Sequence, residues 1–221
     1  MVQKKTKNLT LRTKAYREIK NKIVYLDLKP GDKIFESEIA QVLNMSRTPV
    51  REALLLLENE HLVVCDDRLG FLVKKLTSKE IEEYFDIRMA FEVFAVPYIV
   101  ERITPSDIDD LKKNIEYAEI SVNNEDVRNI IKYESEFHDI YYRATKSDVF
   151  YQTISGLIDK FQWLRAMAIS APHGAHQSFS DHKEIMIAIG NRDQNKLQLC
   201  LKRHIEHARD RFEYMKPFFM G

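Results

Sequence analysis

Glu134 and His138 stand four residues apart, and His182 and His204 follow further along a chain of 221 residues. Four residues is about one helical turn, so on a helix this carboxylate and imidazole share a face. If the segments carrying His182 and His204 are helices folded back about Gly190-Asn191, the two histidines lie roughly 14–20 Å along the pair, at about 1.5 Å per residue. They then sit within a helical turn of one another. Three imidazoles and a carboxylate could converge inside a bundle. That set suits a borderline divalent ion, Zn²⁺ first and Ni²⁺ or Mn²⁺ as alternatives, with room for a small oxygen donor. The plainer reading is a polar core of hydrogen-bonded histidines.

A second group of residues has a different chemistry. Ser46-Arg47-Thr48-Pro49-Val50-Arg51 opens with an N-capping residue and has proline in the first turn, where a missing N–H costs nothing. Val50, Ala53, Leu54 and Leu57 then repeat at helical spacing. The opposite face carries Arg47, Thr48 and Arg51, with no acidic residue before Glu52. Guanidinium groups at a helix N-terminus suit phosphates and guanine edges. Upstream, residues 36–43 read as a short helix and Asn44-Met45 as a turn, which gives a helix-turn-helix. Downstream, Val63-Val64-Cys65 and Phe71-Leu72-Val73 flank Asp66-Asp67-Arg68-Leu69-Gly70, a β-hairpin with Arg68 and Gly70 near its tip. The alternative is an ordinary helical hairpin with two surface arginines.

The remaining elements must position these groups. A first helix is expected from Leu11 to Leu26, with Ala15, Ile19, Ile23 and Leu26 on one face, and residues 1–9 are expected to form a basic arm for phosphates. Thr77-Ser78-Lys79-Glu80 is a capping box that places a domain boundary near residue 76. Thr104, Asn124 and Asp148 begin three more helices. Residues 171–174 read as a loop, and helices from Asp181 to Ile189 and from about Arg192 to Met215 follow, the latter behind an apparent capping box at Asn191-Arg192-Asp193-Gln194. No β pattern appears after residue 76. The expected fold is mainly α: a winged helix-turn-helix of three helices and a hairpin over residues 1–76, then an all-α antiparallel bundle over 77–221.

The net charge is zero, yet its distribution is uneven: residues 1–76 carry 15 basic and 10 acidic side chains, and the remainder 19 and 24. The basic half is the half with the helix-turn-helix, as nucleic-acid binding requires. Cys65 and Cys200 form no metal-type or redox pair, and no long apolar run suggests a signal or membrane span. A cytoplasmic location is expected.

The ordered set Lys29-Pro30-Gly31-Asp32, Glu38-Ile39-Ala40, Ser46 to Leu54 and Gly70-Phe71 resembles the winged helix of GntR-family transcriptional regulators over about residues 10–76. That resemblance implies operator contacts from Arg47, Thr48 and Arg51 and a wing tip at Gly70 in the minor groove; Ser46 and Arg68 adjoin them. The runs Glu134 to His138, Asp181 to Glu184 and Lys202 to His204 are similar to the FCD effector domain of the FadR-like subfamily, over about residues 78–215. In its metal-binding branch an acidic residue and three histidines at matching places hold a divalent ion, which implies Glu134, His138, His182 and His204. Two departures stand out. The family usually has Asp where Glu134 stands, and Lys146-Ser147-Asp148 replaces a small residue, Gly and Asn.

Effectors of such proteins are small organic acids, so a carboxylate partner is expected among Arg88, Arg143 and Arg165. Arg88 matches an arginine common in the family, although an internal pair with Glu92 at i+4 serves equally well. His173, His176 and His207 are expected on loops or the surface, with His207 a reserve ligand. The leading expectation is a homodimeric, ligand-responsive repressor on a palindromic operator. The alternatives are a metal-dependent hydrolase-like enzyme using the histidine cluster, and a regulator whose polar cluster is purely structural.

Overall fold

The computed structural model describes residues 10–219, with side chains through 217. The chain divides into two compact units, Met1–Leu76 and Thr77–Gly221. The basic arm expected over residues 1–9 lies outside the described residues.

In the first unit, α1 spans Leu11–Val24, α2 Glu36–Val42 and α3 Arg47–Asn59. Thr10 caps α1 by accepting from the Thr13 amide at 3.2 Å, and Ala15, Ile19 and Ile23 are fully buried along its inner face. Asn44 takes a left-handed φ of 50° between α2 and α3, a conformation asparagine tolerates better than most residues. Ser46 occupies the N-cap of α3, but its hydroxyl makes no capping bond. Val50, Ala53, Leu54 and Leu57 are buried completely, so truncating either leucine to alanine costs about 2–5 kcal/mol. Strands β1 (Val63–Asp66) and β2 (Gly70–Val73) pair antiparallel from Val63↔Val73 to Asp66↔Gly70. Asp66 Oδ1 accepts from the amides of Arg68 and Leu69, both at 2.8 Å, and Gly70 supplies the φ of 79° that closes the hairpin.

The second unit is helical throughout its described residues: α4 Ser78–Arg102, α5 Pro105–Asn123, α6 Val127–Ala144, α7 Asp148–Ile169, α8 Gly174–Gly190 and α9 Gln194–Phe219. Thr77 and Thr104 form complete capping boxes with Glu80 and Asp107. From Phe161 to Ile169, α7 buries Phe161, Trp163, Leu164, Arg165, Ala166, Met167, Ala168 and Ile169. A helix buried on nearly every face lies inside the bundle, which explains how Arg165 reaches the interior. No helix among the described residues is long and apolar enough to cross a membrane.

Several boundaries differ from the sequence reading. Helix α1 ends at Val24, so Leu26, expected on its inner face, lies beyond it with a left-handed φ of 62°. Asn124 closes α5 as its C-cap, Glu125 turns with φ 54°, and Asp126 caps α6 by accepting from the Asn129 amide. The loop expected at 171–174 is present over 171–173, but α8 starts at Gly174, seven residues earlier than expected. His173 takes φ 59° at the N-cap, and a Cβ on Gly174 would stand 2.5 Å from the Ala168 carbonyl oxygen. The glycine marks a close approach of backbone and not a long loop. Finally, Asn191 is the C-cap of α8, Arg192 is left-handed, and Asp193 begins α9 by accepting from the Lys196 amide at 2.9 Å.

Candidate functional site

Helix α6 offers Glu134 and His138 from adjacent turns, α8 offers His182 and α9 offers His204; one ligand atom from each lies within 4.8 Å of every other. Glu134 Oε1 faces Nε2 of His138, His182 and His204 at 3.7, 3.5 and 3.9 Å. All four side chains are buried, Glu134 being 7% exposed and the histidines no more than 2%. Donors around a tetrahedral ion with bonds of about 2.1 Å are about 3.4 Å apart, so the set is close to the size a divalent ion needs. Two of the three imidazole nitrogens also fit, while His138 Nε2 faces Arg88 Nη2 at 3.2 Å. Nε2 of His182 and of His204 have no hydrogen-bond partner, and buried polar atoms left this way cost free energy unless something else satisfies them.

The surrounding groups fix these four. Ser178 Oγ donates to Glu134 Oε2 at 2.8 Å. His138 Nδ1 meets Tyr141 Oη at 3.0 Å, whereas His204 Nδ1 only approaches Asp181 Oδ2, at 3.5 Å, without a hydrogen bond. Phe137 stacks on the His182 ring with centroids 3.9 Å apart. A ligand histidine characteristically has its second nitrogen oriented by such partners. Burial pushes His182 down to about 3, and burial followed by the Arg165 and Arg88 charges holds His138 well below its ordinary range. Burial alone would raise Glu134, but the facing imidazoles, Arg165 and the Ser178 hydroxyl bring it below its ordinary value. Neutral imidazoles and an ionised carboxylate are the forms that bind metal.

Of the three candidate arginines, the structure brings two to this cluster. Arg88 donates through Nε to Glu92 Oε1 at 2.7 Å and approaches His138 Nε2 through Nη2 at 3.2 Å. The internal pair with Glu92 is thus present, and the same side chain borders the cluster. Its Nη1 has no hydrogen-bond partner. Arg165 is 2% exposed, and neither its Nε nor its Nη1 has a partner. Burial first, then Arg88, pushes its pKa below the usual guanidinium value. Arg143 is not brought to the cluster: it is 58% exposed, pairs with Asp139 at 2.7 Å and also donates to Tyr151. It lies on the outer face of α6. His207 binds Asp181 at 2.9 Å and stands outside the set of four; His173 and His176 are exposed.

In the first unit, Ser46, Arg47, Thr48 and Arg51 are all exposed at the start of α3, and Arg68 and Gly70 are exposed at the tip of the hairpin. A groove of about 480 Å³ runs between the start of α2, the start of α3 and the hairpin, and Arg47, Arg51 and Gly70 line it. Residues 83–207, more than half of the chain, match the FCD domain model, and residues 11–73 match the model for bacterial regulatory proteins of the gntR family. The chain belongs to the GntR family, with an FCD domain.

Relatives of this GntR regulator agree along nearly their whole length. It is 27% identical to the HTH-type transcriptional regulator YdhC of Bacillus subtilis over 194 residues, covering 87% of this chain and 86% of the relative. It is also 27% identical to the gluconate operon transcriptional repressor of the same species over 205 residues, covering 89% and 82%. Its fold resembles that of Escherichia coli McbR/YncC with a TM-score of 0.81 at 22% identity, over 93% of this chain and 98% of that one. The protein is a DNA-binding transcriptional regulator. The hydrolase-like alternative falls, since the family and these relatives regulate transcription.

Ser178 and Asp181 border the cluster, although the ligand pattern of the GntR sequence includes neither. A signal for Ser178 exists: it precedes His182 by four residues, the spacing that joins Glu134 to His138. It is hidden because that stretch reads as lying before the helix starts.

Proposed function

We propose that this protein is a homodimeric repressor whose operator binding is controlled by a small organic acid held at a divalent metal ion. Glu134, His138, His182 and His204 would hold the ion, with Zn²⁺ the first candidate and Ni²⁺ or Mn²⁺ alternatives. Bound there, it would supply a Lewis-acidic position for an oxygen of the acid. Arg88 and Arg165 would take the acid's carboxylate through guanidinium N–H groups that have no protein acceptor. Arg143, paired on the surface, has no part in this reading.

The observation that carries the proposal is the convergence of three Nε2 atoms on Glu134 Oε1, beside the buried unpaired donors of Arg165. A purely structural polar cluster would satisfy its own members. The gluconate operon transcriptional repressor among the relatives supports repression. Operator contact would come from Ser46, Arg47, Thr48 and Arg51, with Arg68 and Gly70 at the wing, and two such units suit a palindrome.

Regulation requires that the acid bind one arrangement of the protein better than another. Helix α4 is a suitable carrier of such a difference. It holds Arg88 and Glu92 against α6 and begins at Ser78, five residues beyond the end of β2. Native mass spectrometry of protein purified without chelator is the test, with a dimer carrying one divalent ion per chain as the expected result. A metal-free species that takes up neither Zn²⁺, Ni²⁺ nor Mn²⁺ would remove the metal from the proposal, and a monomer on DNA would remove the dimer.

A further inference from the structure

Arg47 and Arg51 leave the same face of α3 one turn apart, yet their surroundings differ. Arg47 is exposed and has no ion-pair partner among the described residues. Arg51 Nη1 bonds Glu36 Oε1 of α2 at 3.1 Å, and its Cζ lies 5.7 Å from the ring centroid of Phe71 on β2. Phe71 is 3% exposed and paired with Cys65 across the hairpin, so the ring is a fixed surface. The Arg51 guanidinium is thus held from two sides while its side chain remains 61% exposed to the groove.

We infer that Glu36 is a positioning residue for sequence readout: it presets the Arg51 fork for a guanine edge. This rests on the reading that Arg51 contacts operator bases. A guanidinium has two edges that can donate a pair of parallel hydrogen bonds, Nη1/Nη2 and Nε/Nη2. With Nη1 engaged by Glu36, the Nε/Nη2 edge remains, and bidentate donation to O6 and N7 of guanine needs one such edge at a fixed angle. Arg47, with no such restraint, is suited to phosphate, where a range of angles serves. Glu36 is also an anion at the rim of the groove, so it opposes phosphate crowding and disfavours sequence-independent contact. The Glu36–Arg51 pair is largely a surface ion pair, and its removal has little effect on folding.

The experiment uses the full chain and two duplexes: one selected from a randomised pool by the unsubstituted protein, and one of the same composition with the sequence scrambled. Fluorescence anisotropy at several salt concentrations gives the ratio of their affinities. Glu36→Gln is expected to lower that ratio about tenfold, as expected from disabling one bidentate base contact, while affinity for the scrambled duplex holds or rises and thermal unfolding is unchanged. Arg51→Ala loses the same discrimination, and Glu36→Gln in the Arg51→Ala background loses no more. If Glu36→Gln keeps the full ratio while Arg51→Ala loses it, the positioning role is wrong and the Arg51 contact stands. Further loss in the Arg51→Ala background would mean that Glu36 touches DNA independently, which also overturns the inference. Full discrimination by Arg51→Ala would overturn both.

Discussion

Ser178 Oγ donates to Glu134 Oε2 at 2.8 Å, and this bond turns the other oxygen, Oε1, toward the three histidine Nε2 atoms. Glutamate is one methylene longer than aspartate and has an additional torsion to fix, so a second anchor matters more here. Ser178→Ala is expected to weaken Zn²⁺ affinity by about tenfold, the lower end of effects seen for residues that orient ligands. Competition with a chromogenic chelator measures it. Unchanged affinity would show that Ser178 only fills space.

Occupation of the cluster should tie α6, α8 and α9 together and stabilise the fold by mass action. At a free ion concentration one hundred times Kd the gain is about 2.7 kcal/mol. Chelation is therefore expected to lower the melting temperature by several degrees, and His204→Ala should abolish the response to added Zn²⁺. His173→Ala and His176→Ala alter exposed side chains and should leave that response intact. Scanning calorimetry with and without Zn²⁺ decides, and an unresponsive unsubstituted protein would make the cluster a polar core.

Much of this molecule is legible in its sequence because local chemistry and tertiary packing agree. Thr77 and Thr104 announce their helices, and both capping boxes are present in full. The period of Val50, Ala53, Leu54 and Leu57 identifies the buried face of α3. Glu134 and His138 are legible at i and i+4. What failed was local signal with more than one meaning. Gly174 looked like loop punctuation when it was needed for close contact with the end of α7, and Arg143 had apolar neighbours but lies on the outward face of α6. The missing partners of Arg165 cannot be read from sequence at all, because they depend on which side chains other helices bring.

Arg88 and Arg165 should respond differently to removal. Arg165→Leu deletes a buried charge that has no acceptor for Nε or Nη1, so stability is expected to hold or rise. Binding of an organic acid should nevertheless fall at least tenfold, from loss of a charged hydrogen bond worth about 1.5–3 kcal/mol. Arg88→Leu strands the buried Glu92 carboxylate and should cost about 3–5 kcal/mol of stability. Calorimetric titration against a panel of small mono- and dicarboxylic acids, with urea unfolding alongside, separates the two. Retention of full acid affinity by Arg165→Leu would remove that residue from the site.

The histidines also set a pH window. Burial holds the folded-state His182 at about 3, against an ordinary value near 6.5. The unfolded chain therefore accepts a proton that the folded chain refuses. The stability involved is fully present above about pH 6.5 and is lost progressively as pH falls toward 3. Between pH 7 and pH 5, His182 alone accounts for about 2 kcal/mol. His138, lowered by burial and by Arg165 and Arg88, acts in the same direction. Glu92 and Glu134 also have lowered values, but their contribution is lost only as pH falls through the carboxylate range, near 4.3 and below. The interval from pH 7 to 5 is thus governed by imidazole in chelator-treated protein. Urea unfolding across that interval should show the loss, and His182→Phe, a flat ring in a position already stacked on Phe137, should reduce the slope. An unsubstituted, chelator-treated protein equally stable at pH 7 and pH 5 would mean that His182 and His138 are not buried as neutral bases.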